Sequence, residues 1–230
     1  MRGVREGGAW GWCVRFVGCV AFGLALASCA SAVSARAIPI PAPLVDDALA
    51  PKSDQRVVVF AGGCFWGIQA VFQHVRGVIQ ATSGYAGGDE STAQYEMVGS
   101  GNTGHAESVQ VVYDASKITY GTLLRIFFSV AHDPTQLNQQ GPDYGTQYRS
   151  ALFVLNPEQR KIAEAYIAQL DGSAAYGAPI VTQVNDYSGF YPAEDYHQNY
   201  ATLHPTDPYI MINDAPKVRA LKDTFKDIYK

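Results

Sequence analysis

The sequence predicts an α+β fold, a two-layer α/β sandwich on a mixed sheet with a ferredoxin-like arrangement. Three observations lead there. Hydrophobic period switches repeatedly between the two-residue rhythm of strands and the 3.6-residue rhythm of helices. The strand and helix segments interleave, yet long loops between them carry the unusual residues, which disfavours a doubly wound sheet. The composition, 47% hydrophobic and 17% charged over 230 residues, is that of a globular chain with no internal repeat.

The first segment is an export signal. Arg2, Arg5 and Arg15 precede an apolar run from Phe16 to Ala27, followed by small residues. That run is too short to span a bilayer, which takes about 20 residues, so residues 1–28 are expected to be a cleaved signal peptide. Leu26-Ala27-Ser28-Cys29 resembles a lipobox, making Cys29 the expected lipidation site; Ala30-Ser31-Ala32 and Val33-Ser34-Ala35 are ordinary cleavage alternatives. Either route puts the domain outside the cytoplasm, in the periplasm or cell envelope. Residues 29–55, rich in Ala, Pro and Ser, are expected to be a flexible tether.

The domain then runs from residue 56 to 230. Val57 to Ala61 is a continuous apolar run suited to a buried strand, broken by Gly62 and Gly63. Ile68, Val71, Phe72 and Val75 follow helical spacing over Trp66 to Val75, and a Gly-rich stretch covers Gly77 to Gly88. Val109, Val111 and Tyr113 alternate within a strand from His105 to Asp114. Thr119 caps a helix over Leu123 to Val130, before the breaker His132-Asp133-Pro134. Tyr148 to Leu155 is a strand, and Asn156-Pro157-Glu158-Gln159 starts a helix that stops at Asp171-Gly172. Ile180 to Val184 is a further strand, and Val218, Leu221, Phe225 and Ile228 mark a last amphipathic helix.

Charge and cysteines exclude several functions. The chain carries a net charge of −4, and removing the basic signal makes it more acidic still, so no nucleic-acid partner is expected. Of four cysteines, only Cys64 lies beyond residue 29, which rules out a disulfide scaffold. No grouping has metal-ligand spacing, and neither metal nor cofactor is expected.

Cys64 sits in Gly62-Gly63-Cys64-Phe65-Trp66-Gly67, between a buried strand and a helix. Free N–H groups and the macrodipole at such a helix start favour an anion. They supply at most about 2 kcal/mol, so the thiol is expected to approach a pKa of roughly 7. A lone cysteine is most often buried and inert, but this glycine-flanked turn favours reactivity. Phe65 and Trp66 are either core residues or the walls of a pocket for a small apolar group such as a thioether. On composition alone Glu107 reads as a solvated strand-end carboxylate, and Tyr95 and Tyr148 as two among 14 tyrosines.

Gly63-Cys64-Phe65-Trp66-Gly67, Gly101-Asn102-Thr103-Gly104-His105-Ala106-Glu107, His132-Asp133-Pro134-Thr135-Gln136, Gly145-Thr146-Gln147-Tyr148-Arg149-Ser150 and Tyr196-His197-Gln198-Asn199-Tyr200 follow one another in order. Together they resemble the peptide methionine sulfoxide reductases of the A class. The resemblance implies reduction of the S epimer of methionine sulfoxide, free or in proteins, as repair after oxidative damage. It implies that Cys64 attacks sulfur, Glu107 is the acid, and Tyr95 and Tyr148 donate to the sulfoxide oxygen. Phe65 and Trp66 then hold the methyl group, Asp143 supports the pocket, and His197 is a scaffold histidine.

Many relatives resolve the resulting sulfenic acid with a cysteine near the C-terminus, but no cysteine follows Cys64 here. A thioredoxin- or glutaredoxin-like protein or a small thiol is therefore the expected reductant, acting on a monomer. Two other readings compete: a cysteine hydrolase using His105 or His197 as base, and an envelope lipoprotein whose aromatic pocket only binds thioethers.

Overall fold

The computed structural model describes residues 37–230. The expected signal peptide, Cys29 and the start of the tether lie outside the described residues. Strand β1 (Gln55–Gly62) leads into α1 (Phe65–Gln73), followed by β2 (Val78–Ala86), the single turn α2 (Tyr95–Val98) and β3 (Ala106–Asp114). Helix α3 (Tyr120–Ile126) runs on as a π-helical turn over Phe127–Ala131, before a two-residue hairpin, β4 (Gln139–Gln140) and β5 (Asp143–Tyr144). Then come β6 (Ser150–Val154), α4 (Pro157–Gly172), β7 (Gln183–Asp186), β8 (Phe190–Pro192), α5 (Tyr200–Leu203), a π-helical turn at Ile210–Asp214, and α6 (Ala215–Thr224).

The sheet order is β7-β6-β1-β3-β2-β8. In its four central strands, β6-β1-β3-β2, each runs antiparallel to its neighbours, and with α1 and α3 they form two interlocked split βαβ units. That is the ferredoxin-like arrangement. Parallel pairing of β7 on β6 makes the sheet mixed. Val58, Phe60, Val109, Val111, Tyr113 and Leu152 face the helices in one large core. Their alternate neighbours, Val59, Ala61, Ala106 and Phe153, build a small second cluster without any helix. Phe60 stacks between Phe72 and Phe127 at centroid distances of 5.0 and 4.9 Å, joining β1 to α1 and α3.

Local chemistry sets the element ends. Thr119 accepts from the Thr122 N–H, and Asn156 accepts from the Gln159 N–H while the Gln159 side chain accepts from Leu155 N–H. Two expectations need correction. The Gly-rich stretch 77–88 is largely strand β2: a bulge between Val78 and Gln80 spoils its alternation. Gly84 is needed there because a Cβ would lie 2.4 Å from both the Phe190 ring and the Tyr191 carbonyl of the neighbouring strand. The strand expected at 180–184 starts later, at Gln183, because Val181 N–H instead bonds the Pro134 carbonyl at 2.8 Å.

From Ala37 onward the expected tether lies against the domain. Proline leaves this segment short of donors, so its carbonyls turn to the helices. Arg125 donates to Ile40 O, Tyr166 to Pro41 O and Gln169 to Ala42 O. Asp46 accepts from Gly121 N–H at 2.7 Å and from the Thr119 hydroxyl at 2.6 Å, while Asp47 accepts from Tyr120 N–H. The strap thus caps α3 with two carboxylates where the helix dipole favours them. Asp46→Ala is expected to cost about 1–2 kcal/mol and lower Tm by roughly 3–6 °C, measured calorimetrically.

Candidate active site

The chain leaves β1 through Gly62 and Gly63. Gly63 has φ +94°, and a Cβ there would sit 2.5 Å from the Gln140 side chain, so only glycine fits this turn. Gln140 is itself held by two bonds to the Asp133 backbone. Cys64 follows as the N-cap of α1, with φ −52° and ψ 125°, and is 8% exposed.

Strand parity brings the carboxyl to the thiol. Glu107 shares its face of β3 with Val109, Val111 and Tyr113, so it points under the helices rather than to solvent. It is 4% exposed, and its Oε2 accepts from the Phe65 N–H at 3.1 Å. Phe65 is the first residue of α1, so this contact satisfies one of the helix's orphan donors. Burial pushes the Glu107 pKa up to about 8, with Asp143 and Asp214 adding to the rise and the Phe65 bond opposing it. At neutral pH Glu107 is mostly a neutral acid. The solvated-carboxylate reading is overturned.

A cavity of about 190 Å³ is lined by Cys64, Phe65, Trp66, Tyr95, Glu107, Asp143, Tyr148 and Tyr209. The nucleophile, acid, phenols, aromatics and Asp143 expected from sequence therefore meet in one place. Two loops are laced together to bring the phenols there. Arg149 donates to the carbonyls of Gly104, His105 and Thr146, Thr146 donates to Gly101 O, and Gln147 donates to Gly99 O. Tyr95 opens α2, its N–H bound to Glu194. Burial raises the Tyr95 and Tyr148 phenols above their ordinary value, so both remain hydrogen donors.

His197 does not line this cavity; it packs behind it. Its ring lies 4.3 Å from Tyr95 and 5.1 Å from Phe65 between centroids, and its Nδ1 accepts from the Trp66 indole N–H at 3.2 Å. Burial lowers its pKa and keeps it neutral, with Nε2 unpartnered. Trp66 is clamped from its other side by Tyr200, stacked at 3.9 Å. Neither histidine of the hydrolase reading is poised as a base. His105 is bound through both ring nitrogens to backbone, Gly88 N–H and Asp89 O.

The thiol itself departs from expectation. Burial pushes the Cys64 pKa well above its usual value, and the carboxyls of Glu107 and Asp214 push the same way. The Trp66 N–H of the helix start and Lys217 pull it down but do not prevail. A terminal dipole worth at most about 2 kcal/mol is outweighed by desolvation of a buried sulfur.

Three residues escaped sequence reading. Tyr209 enters the cavity and donates to Asp143 Oδ2, raising the question of who holds whom: Asp143 orients Tyr209, and Tyr209 in turn steadies Asp143. Asp214, fully buried, and Lys217 form an ion pair of 3.1 Å beside Gly67. A Cβ at Gly67 would meet Asp214 Oδ1 at 2.1 Å, which explains the second glycine of the motif. The only sequence hint to Tyr209 is the Asp207-Pro208-Tyr209 turn, in which Asp207 accepts from Tyr209 N–H.

Comparison with known proteins agrees with this geometry. A family model described as peptide methionine sulfoxide reductase matches residues 56–229. The chain is 58% identical over 185 residues to peptide methionine sulfoxide reductase MsrA 2 of Mesorhizobium japonicum, covering 80% of this chain and 94% of that protein. It is 49% identical over 212 residues to the protein of the same name from Synechocystis, covering 90% and 98%. Among solved structures, reduced Mxr1 from Saccharomyces cerevisiae superposes with a TM-score of 0.60 at 33% identity, covering 70% of this chain and 91% of Mxr1. The chain therefore belongs to the peptide methionine sulfoxide reductase family.

Proposed function

We propose that this enzyme reduces the S epimer of methionine sulfoxide, free or in oxidised proteins, to methionine through a Cys64 sulfenic acid that an external thiol resolves. The observation that carries this reading is the neutral Glu107 carboxyl held at the start of α1, in the same 190 Å³ cavity as Cys64.

A sulfoxide oxygen leaves only when protonated. With the substrate methyl against Phe65 and Trp66, its oxygen meets Glu107 and the phenols of Tyr95 and Tyr148, which donate to it. The Cys64 sulfur attacks the substrate sulfur, forming a new bond to it as Glu107 protonates the oxygen. The new S–S bond and the substrate S–O bond then break as an S–O bond forms on Cys64, so methionine departs, Cys64 is left as sulfenic acid, and the proton lost by the thiol restores Glu107. Tyr209 and Asp143 position the cavity wall, and His197 sets the tilt of Trp66 through its indole N–H. Both the charge balance and the atom balance close: a thiol and a sulfoxide give a sulfenic acid and a thioether.

Localisation follows from sequence alone. The basic approach, short apolar run and Cys29 lipobox support export and lipid anchoring in the cell envelope, with the thiol reductant drawn from that compartment. The mass of the mature N-terminus tests this.

With dithiothreitol, the purified domain is expected to turn over a peptide carrying the S sulfoxide and leave the R epimer untouched; turnover of R alone sinks the proposal. Cys64→Ser is expected to abolish methionine formation, and Glu107→Gln to slow the single-turnover rate by roughly 10²–10⁴ with little change in substrate affinity. After one turnover without reductant, mass spectrometry with a sulfenic-acid trap is expected to find one adduct on Cys64 and no internal disulfide.

Glu107 also makes stability depend on pH. Its folded pKa of about 8 lies above the ordinary 4.5, so the unfolded chain ionises first as pH rises. The stabilisation it contributes is complete below pH 4.5 and is lost progressively up to about pH 8. Glu107→Gln stays neutral throughout. Its stability relative to the unaltered protein, followed by thermal unfolding, is expected to rise by a few kcal/mol between pH 5 and pH 8, and a constant difference across that range refutes the buried-acid assignment.

A further inference from the structure

Cys64 and Tyr209 are walls of two cavities at once: the 190 Å³ sulfoxide cavity and a neighbour of about 600 Å³. A sulfoxide seated in the first leaves its own backbone only a thioether arm from the reacting sulfur. A neighbouring residue of a peptide substrate therefore comes within reach of the second. Ile38, Val130, Pro142 and Ile212 supply the apolar part of that larger cavity. Ile38 belongs to the 37–50 strap, ahead of the residues 56–229 that match the family model. Ser129 pins it at the cavity, accepting from its N–H and donating to its carbonyl.

We propose that the 600 Å³ cavity receives an apolar side chain next in sequence to the oxidised methionine of a protein substrate, and that Ile38 and Ile212 set this preference. The inference rests on the sulfoxide reductase reading above and narrows its substrate class to oxidised segments drawn from apolar cores.

The lining favours an apolar occupant because its polar groups are satisfied among themselves. Gln140 is closed on the Asp133 backbone by both ends of its amide, and Gln136 accepts from Gly141 N–H while donating to Asp133 Oδ2. Asp133 also accepts from the Thr135 N–H and hydroxyl. Both ring nitrogens of His132 are bound, by Phe127 O and the Ser150 hydroxyl. Lys217 lies 3.1 Å from Asp214, a fully buried carboxylate that matches its charge. A charged side chain entering here would give up water and find every charge on the wall already engaged. Asn213 gives its amide N–H to Tyr209 O, which leaves its carbonyl oxygen for one peptide N–H. Ile212, by contrast, is 68% exposed, and an apolar side chain laid against it takes surface of both out of water.

The chemistry of oxidative damage supplies such substrates. Methionine is mostly a core residue, and its sulfoxide is polar enough to disrupt the core around it. The sulfoxides that undo folding are exposed together with apolar neighbours that an intact protein keeps hidden.

The test compares blocked peptides of the S sulfoxide in which the residue before or after it is glycine, leucine, aspartate or lysine, with dithiothreitol as reductant. Leucine is expected to raise kcat/KM over glycine about tenfold on one side of the sulfoxide, with no gain from aspartate or lysine. Ile38→Ala is expected to cut the leucine-to-glycine ratio at least about threefold. Ile212→Asp is expected to erase the leucine gain and to raise the lysine-to-glycine ratio about threefold, a gain that misfolding cannot imitate. Ratios taken within one variant are blind to any shared change at Cys64. Equal turnover of leucine and glycine peptides on both sides in the unaltered protein overturns the subsite, as does a leucine preference that survives both substitutions. A preference for aspartate or lysine in the unaltered protein overturns its apolar character. Absence of methionine from every glycine peptide overturns the underlying function instead.

Discussion

The bond from the Phe65 N–H to the Glu107 carboxyl is the constraint on which the site turns. It fastens the start of α1 to the start of β3, and in doing so it places the nucleophile one residue from the acid's partner. A helix start normally attracts an anion. Here it receives a carboxyl so buried that it keeps its proton, and the same contact that orients the acid also mildly opposes its neutrality. Desolvation wins because Glu107 lies beneath the helix layer on a sheet face otherwise filled by Val109, Val111 and Tyr113.

Charge around the sulfur is crowded and mostly negative in potential. Asp143, Asp214 and Glu107 each raise the others' protonation or that of Cys64, and Lys217 is the counterweight. A site of this kind favours neutral species: a protonated acid, a thiol, and phenols that stay hydrogen donors. That suits an uncharged sulfoxide, whose oxygen gains basicity only as sulfur is attacked. The reactive geometry is prepared in advance, while charge develops only along the reaction.

Rigidity comes from polar lacing rather than from a larger core. The Arg149 guanidinium gathers three carbonyls of two loops, Gln140 ties the Gly63 turn to Asp133, and the 37–50 strap caps α3. Each device places a loop that has little hydrophobic burial of its own. The buried Asp214 with one unpartnered oxygen, and the unpartnered Nε2 of His197, are the counter-cost of packing polar groups this closely around a cavity.

Periodicity and cap residues were legible in the chain itself: β1, α1, β3, α3, β6 and α4 lie where their patterns put them, since burial on one face and local capping are encoded within ten or so residues. Most members of the cavity were legible only through the resemblance of their motifs: taken singly, Glu107 reads as a strand-end carboxylate and Tyr95 and Tyr148 as two among 14 tyrosines, and Tyr209 gave no such signal. Strand β2 was not legible, since its glycine, Gly84, answers to a neighbouring strand contributed from residue 190 onward. Nor was the thiol's protonation: the helix start is a local feature, but the desolvation that overrides it is created by segments far apart in sequence. Tyr209, Asp214 and Lys217 reach Cys64 from the C-terminal end only once the last π-helical turn docks beside Gly67. Sequence alone determined which groups are available and which segments hold them; tertiary packing decided their ionisation and the second cavity, because dielectric and distance exist only after distant segments have closed on one another.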